Sequence, residues 1–196
     1  MARGRPRSFD TDQALDAALL LFWRHGYEGT SLAALTEAMG INGPSLYAAF
    51  GNKETLFQKA IDRYIQHPAS YLCKAMQAPT ARAAAEQALH GAIKMAMHPR
   101  NPSGCLLVQG ALASSPLSES IRTELSRRRS AGEAAVRERF ELAAAAGDLP
   151  ADADPAKLAR YLMTVIWGMA VQAAGGANRA QLTEIAEMAM RAWPAE

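Results

Sequence analysis

Apolar positions recur along most of this chain at i, i+3, i+4 and i+7, the spacing that gives a helix one apolar face. Leu15, Ala18, Leu19 and Phe22 mark a first helix from about Asp10 to His25, with Asp10 or Thr11 as its cap and Gly26 as its stop. Leu32, Leu35 and Met39 mark a second, from about Ser31 to Met39, with Ser31 as N-cap and Gly40 free to take φ > 0 at its end. Asn42-Gly43 is a turn signal, and Pro44 suits the first position of a third short helix in which Leu46 and Phe50 face inward. Leu56, Phe57, Ala60, Ile61 and Tyr64 define a fourth, from about Lys53 to Gln66, which Pro68 interrupts.

The pattern continues to the C-terminus. One short helical piece is expected within Ala69 to Ala78. An Ala-rich helix follows from Thr80 to Met97, then one opening at Ser103 and ending near Ser114, and a long one from Leu117 to about Ala146. Asp154-Pro155 reads as N-cap and first helical position, and a broad apolar face extends from there to about Ala173. A last helix spans about Arg179 to Trp193. The expected fold class is therefore all-α.

Composition agrees with this pattern. Apolar residues make up 49% of the 196 and aromatics only 7%, without extended β-branched runs. No apolar run approaches the roughly 20 residues that span a bilayer. The start, MARGRPRSFD, lacks the apolar stretch of a signal peptide, so no membrane partner and a cytoplasmic location are expected. Cys73 and Cys105 alone make no disulfide framework. Net charge is +2, and within the first 67 residues seven Lys and Arg face seven Asp and Glu, so bulk charge says little about a partner. Placement says more. Arg3, Arg5 and Arg7 precede the first acid, and such an arm can lie on phosphates or enter a minor groove.

Two short helices joined by a Gly-containing turn, the second with a polar N-terminus, form the helix-turn-helix pattern, whose second helix enters the DNA major groove. An ordinary αα-hairpin has the same spacing. Further residues are specific. Gly26-Tyr27, Thr30-Ser31-Leu32, Gly40-Ile41, Ser45-Leu46-Tyr47, Phe50 and Asn52-Lys53-Glu54-Thr55-Leu56 resemble the signature of the tetracycline-repressor (TetR/AcrR) family of bacterial transcription regulators, over roughly Phe9 to Ile65.

The resemblance implies a helix-turn-helix DNA-binding domain over residues 1–66, and a helical effector-binding and dimerisation domain over residues 67–196. It implies that Gly43, Pro44 and Ser45 meet base edges, while Tyr47, Lys53 and Thr30 or Ser31 meet phosphates of double-stranded DNA. Such units act as homodimers on palindromes. The last two long helices are the natural pairing surface, with Leu158, Leu162, Val165, Ile166, Leu182, Ile185 and Met188 as candidates and the monomer core as the plainer use of that face. A small-molecule effector is implied within the second domain. Met95, Cys105, Leu106, Gln109, Tyr161, Trp167 and Met169 are candidates for its pocket, though most of them also suit plain core.

Cys105 sits at an expected helix N-terminus, where a thiol pKa falls, so a reactive sensor stands beside an inert buried cysteine as its reading. Arg127-Arg128-Arg129 reads best as a solvated helix face. No nucleotide loop, metal spacing or convergent catalytic set appears, so no cofactor, metal or catalytic residue is expected. A repressor released by an effector is the leading expectation. An activator or ligand-independent regulator follows, and a helical enzyme or adaptor is the rival from another class.

Overall fold

The computed structural model describes residues 9–112 and 119–194, and every regular element among them is helical. In chain order these are α1 (Thr11–His25), α2 (Leu32–Met39), α3 (Gly43–Phe50) and α4 (Lys53–Gln66), a 3-10 turn at Pro68–Ser70, then α5 (Tyr71–Ala75), α6 (Ala81–Ala96), α7 (Leu106–Leu112), α8 (Glu119–Ala145), α9 (Pro155–Ala174) and α10 (Arg179–Arg191).

Side-chain caps set most of the helix starts. Asp10 accepts from the Asp12 and Gln13 amides at 2.9 and 3.1 Å, and Thr80, Asp154 and Asn178 cap α6, α9 and α10 in the same way. Asn42 is a cap rather than a free turn residue. Its carboxamide oxygen accepts from the Ser45 amide at 2.9 Å, so α3 begins at Gly43, one residue earlier than Pro44 alone suggests. The helix expected from Ser103 begins only at Leu106. Gly104 before it holds φ +89, and a Cβ there would lie 2.9 Å from Gln109 Nε2 and 3.2 Å from Ala174 Cβ. The expected start of the long helix, at Leu117, lies outside the described residues.

Two apolar cores result. The first is aromatic, and it lies between α1, α2, α3 and α4. Phe22 meets Phe57 edge-on at 4.9 Å and Trp23 meets Tyr64 edge-on at 4.8 Å, with all four rings buried. This core also takes in Met95, Leu106, Ile121 and Leu125 from α6, α7 and α8, so the first four helices pack continuously on the rest of the chain. The second core is built from alanines of α6 with Met163, Ile166, Met169, Leu162 and Leu182 from α9 and α10, and is closed at one end by Phe140 against Trp193.

Polar links tie the two halves together. The Trp23 indole donates to the Gly104 carbonyl at 3.3 Å. Arg128 of α8 reaches Asp62 of α4 at 2.6 Å and Glu124 of its own helix at 2.6 Å. Arg129 donates to the Leu107 carbonyl at 2.7 Å. The arginine run is thus not simply a solvated face: its second and third members brace α8 against α4 and α7, and only Arg127, paired with Glu124, faces outward.

Candidate nucleic-acid interface

Four buried side chains fix the pose of the two short helices. Leu35 and Met39 of α2 and Leu46 and Phe50 of α3 all enter the aromatic core. The turn between them closes through Gly40 in the left-handed region, at φ 64 and ψ 30. What remains on the outside of α3 is Pro44, Tyr47 and Ala48, with Gly43 and Ser45 half-buried beside them. Tyr47 is 52% exposed, a large value for an aromatic residue on an otherwise well-packed helix.

Gly43 is informative for what it does not touch. Its backbone is helical, and a Cβ built there would find nothing within 4 Å. The fold itself therefore does not ask for glycine at this position.

The α4 N-terminus lies alongside. Asn52 accepts from the Thr55 amide at 2.8 Å, and Lys53 follows as the first helical residue. A cation is disfavoured there by the helix dipole. The Lys53 ammonium instead lies 4.2 Å from the centre of the Tyr27 ring, which holds it in place. Burial lowers the Lys53 pKa and raises that of Tyr27, as expected of a partly covered pair.

At the start of α2 the two hydroxyls part company. Ser31 is exposed and caps the helix by accepting from the Ala34 amide at 3.1 Å. Thr30 is 1% exposed, and its hydroxyl donates to the Gly26 carbonyl at 2.7 Å. Thr30 therefore holds the loop after α1 rather than the surface. Arg3 and Arg5 lie outside the described residues.

Behind the first core, α4, α5, α6 and α9 enclose an apolar cavity of about 60 Å³. Met95, Cys105, Trp167 and Met169 border it, as does Tyr64, whose hydroxyl lies 3.2 Å from Cys105 Sγ and 3.6 Å from Met95 Sδ. Tyr71 also lines it, and burial pushes its phenol well up from the ordinary range. Of the two readings of Cys105, the surroundings favour the inert buried thiol over the acidified one. Burial pushes it up, against smaller lowering contributions from the Tyr64 hydroxyl and the Val108 and Leu107 amides.

Comparison with known proteins covers the same two halves. The family model described as "Bacterial regulatory proteins, tetR family" matches residues 14–60, and that of "Tetracyclin repressor-like, C-terminal domain" matches residues 72–192. The HTH-type transcriptional repressor ComR of Escherichia coli (strain K12) is 38% identical over 98% of this chain and 93% of its own length.

The chain belongs to the TetR family.

Among solved structures, a cysteine mutant of the TetR family transcriptional regulator CifR, complexed with 26 bp double-strand operator DNA, superposes with a TM-score of 0.91 at 44% identity, covering 97% of this chain and 100% of that one. The reduced form of E. coli NemR, at 20% identity and a TM-score of 0.79 over 94% of this chain and 98% of that one, shares the fold. As a TetR-family protein the chain is a DNA-binding transcriptional regulator and not an enzyme. No helix among the described residues is long and apolar enough to cross a membrane.

The other site residues expected of a TetR-family chain divide by burial. Leu162, Ile166 and Leu182 are 1%, 4% and 0% exposed within a single protomer, so they are core side chains and not free surface. Leu158 is half-buried against the same core. Val165, Ile185 and the exposed Met188 line an outer groove between α9 and α10, together with Tyr161, which is therefore not at the inner cavity. Leu106 belongs to the aromatic core, and Gln109 donates from Nε2 to the Ser103 carbonyl at 3.0 Å, while its Oε1 is buried without a hydrogen-bond partner among the described residues. Tyr64 and Tyr71 were missed as cavity residues because periodicity classes a tyrosine as apolar and is silent on where its hydroxyl ends.

Proposed function

We propose that this protein is a cytoplasmic, homodimeric repressor that reads a palindromic operator through α3 and leaves it when a small molecule occupies the inner cavity. The observation that carries the reading is the α3 surface. It is small, exposed and without internal cause for its glycine, and it is mounted on a core in which Leu46 and Phe50 are fully engaged. A surface of that kind lets backbone approach backbone. The likeness to CifR on operator DNA and to the repressor ComR supports the same use.

In this reading Gly43, Pro44 and Ser45 face base edges. Tyr47, Lys53 and Ser31 fix register on phosphates, with Arg3 and Arg5 of the arm alongside. Few side chains here can make bidentate base contacts, so specificity rests on thymine methyls and on DNA shape as well. Two copies pair through the α9–α10 groove of Tyr161, Val165, Ile185 and Met188. An effector acts by binding the two pairing geometries unequally.

The test is selection of duplexes from a random pool by the purified full-length protein. A palindrome of two short half-sites, bound with an affinity that falls steeply with salt, is the expected result. Salt-sensitive retention without any enriched sequence would contradict the operator reading.

A further inference from the structure

Outside the inner cavity, at the ends of α5 and α6, lies an open groove of about 350 Å³. Its polar lining includes Lys74, Lys94, His98 and Asn101, and no carboxylate lines it. No ion pair among the described residues engages either lysine. His98 Nδ1 accepts from the Arg100 amide at 3.2 Å, which leaves Nε2 as the donor edge of the ring. Asn101 spends one carboxamide proton on the Met95 carbonyl, at 3.0 Å, and keeps the other. The groove thus offers donors and positive charge without acceptors of negative sign.

The groove and the cavity share a wall. Tyr71 and Met95 line both. The ring of Tyr71 is pressed on the α6 backbone at Gly91, where an added Cβ would lie 2.5 Å from Cδ2 and 2.7 Å from Cβ of the tyrosine. The other half of the wall is a methionine, which repacks readily. On one side of it the surface is apolar, with Trp167 and Met169; on the other it is cationic. Lysines near helix C-termini are also favoured by the helix dipole. That accounts for their place along α5 and α6, but not for their meeting in one groove beside an apolar cavity.

We propose that the two spaces form one bipartite site for an amphipathic carboxylate, its apolar tail in the cavity past Tyr71 and Met95 and its anionic head in the groove of Lys74 and Lys94. This inference rests on the effector reading above and names the class of ligand. Because the cavity as it stands has room for only a few atoms, the tail must move the shared wall. Tyr71 opens α5, which only His67 and the 3-10 turn at Pro68–Ser70 separate from α4, so a shift there is passed through that turn to the helix carrying Lys53.

The probes are octanoate and 1-octanol, which share a tail and differ in charge, titrated into the full-length protein and followed by tryptophan fluorescence and calorimetry. Octanoate is expected to bind at least about ten-fold more tightly than 1-octanol, and its affinity alone to fall with added salt. In the double variant Lys74→Gln, Lys94→Gln that preference should drop to about one, with 1-octanol binding unchanged. Equal affinities in the wild-type protein, a preference that survives in the double variant, or no binding of either probe would each overturn the proposal. Preferential octanoate binding that fails to release a selected duplex upholds this site and refutes effector release. Release by uncharged ligands, with no preference for octanoate, refutes this site and upholds release.

Discussion

The core beneath the helix-turn-helix locks Phe22 on Phe57 and Trp23 on Tyr64 at edge-on angles, whereas the core behind it, apart from Phe140 on Trp193, packs alanines and aliphatic side chains with Met163 and Met169 beside a cavity. The difference follows from what each must do. Edge-to-face aromatic pairs have one good arrangement, so they hold α1 and α4 in a fixed relation, and α3 with them through Leu46 and Phe50. Methionine and alanine leave several packings close in energy, so the second core can accept a guest. The two are joined where a shift in one can be felt in the other, at Trp23 on Gly104, at Arg128 on Asp62 and through Tyr64, which belongs to the first core and also lines the cavity.

The largest effect that would sharpen this contrast is on stability. Phe57→Ala removes a fully buried ring that touches both Phe22 and Tyr27, and should cost about 3–5 kcal/mol in denaturant unfolding. Met163→Leu in the second core should cost less than about 1.5 kcal/mol. Comparable losses at both sites would break the comparison. Gly91→Ala comes next. Its methyl group collides with Tyr71, so about 1–3 kcal/mol should be lost by overpacking, and octanoate affinity should change with it.

A smaller effect lies in the brace between the halves. Arg127, and then Arg128, hold the Glu124 carboxyl at about 2, against an ordinary 4.5. A carboxyl depressed by folding adds stability in full above its ordinary value and loses it as pH falls towards the folded one. Solvent around the outward-facing Arg127 screens the attraction, so Glu124 contributes about 1 kcal/mol, well below what the shift alone suggests. The Tm gap between wild type and Glu124→Gln should therefore be present at pH 7 and narrow between pH 4.5 and 2. A gap that does not change with pH would show that Glu124 acts through packing instead. The smallest perturbation is chemical. Brief maleimide labelling followed by mass spectrometry should modify the exposed Cys73 well before Cys105, whose thiol is held protonated.

The helices were legible because each apolar face repeats at helical spacing and most starts carry a side-chain cap. Asp154-Pro155, for example, is the start of α9. The turn before α3 was legible in kind but not in register, because the same Asn42 serves as turn residue and as cap. The reading surface could be picked out because Leu46 and Phe50 assign the inner face of α3 and leave the rest outside. The second half was less legible for a physical reason. A wide apolar stripe such as Leu158 to Ala170 serves a monomer core and a dimer surface equally well in sequence, and only the three-dimensional packing separates Leu162 from Met188. The roles of Arg128 and of Thr30 depend on particular polar partners, Asp62 on another helix and the Gly26 carbonyl, and periodicity carries no information on such pairs.

The central claim is that α3 is shaped for a partner and not for its own fold, and Gly43→Ala tests it most directly. The substitution meets no atom within 4 Å among the described residues and relieves glycine of its chain entropy, so thermal stability should hold or rise by about 0.4–1 kcal/mol. Measured in parallel by fluorescence anisotropy, affinity for the selected palindromic duplex should fall by about ten-fold or more, as one lost close approach predicts. A variant that is equally stable and binds that duplex as well as the wild type would contradict the account.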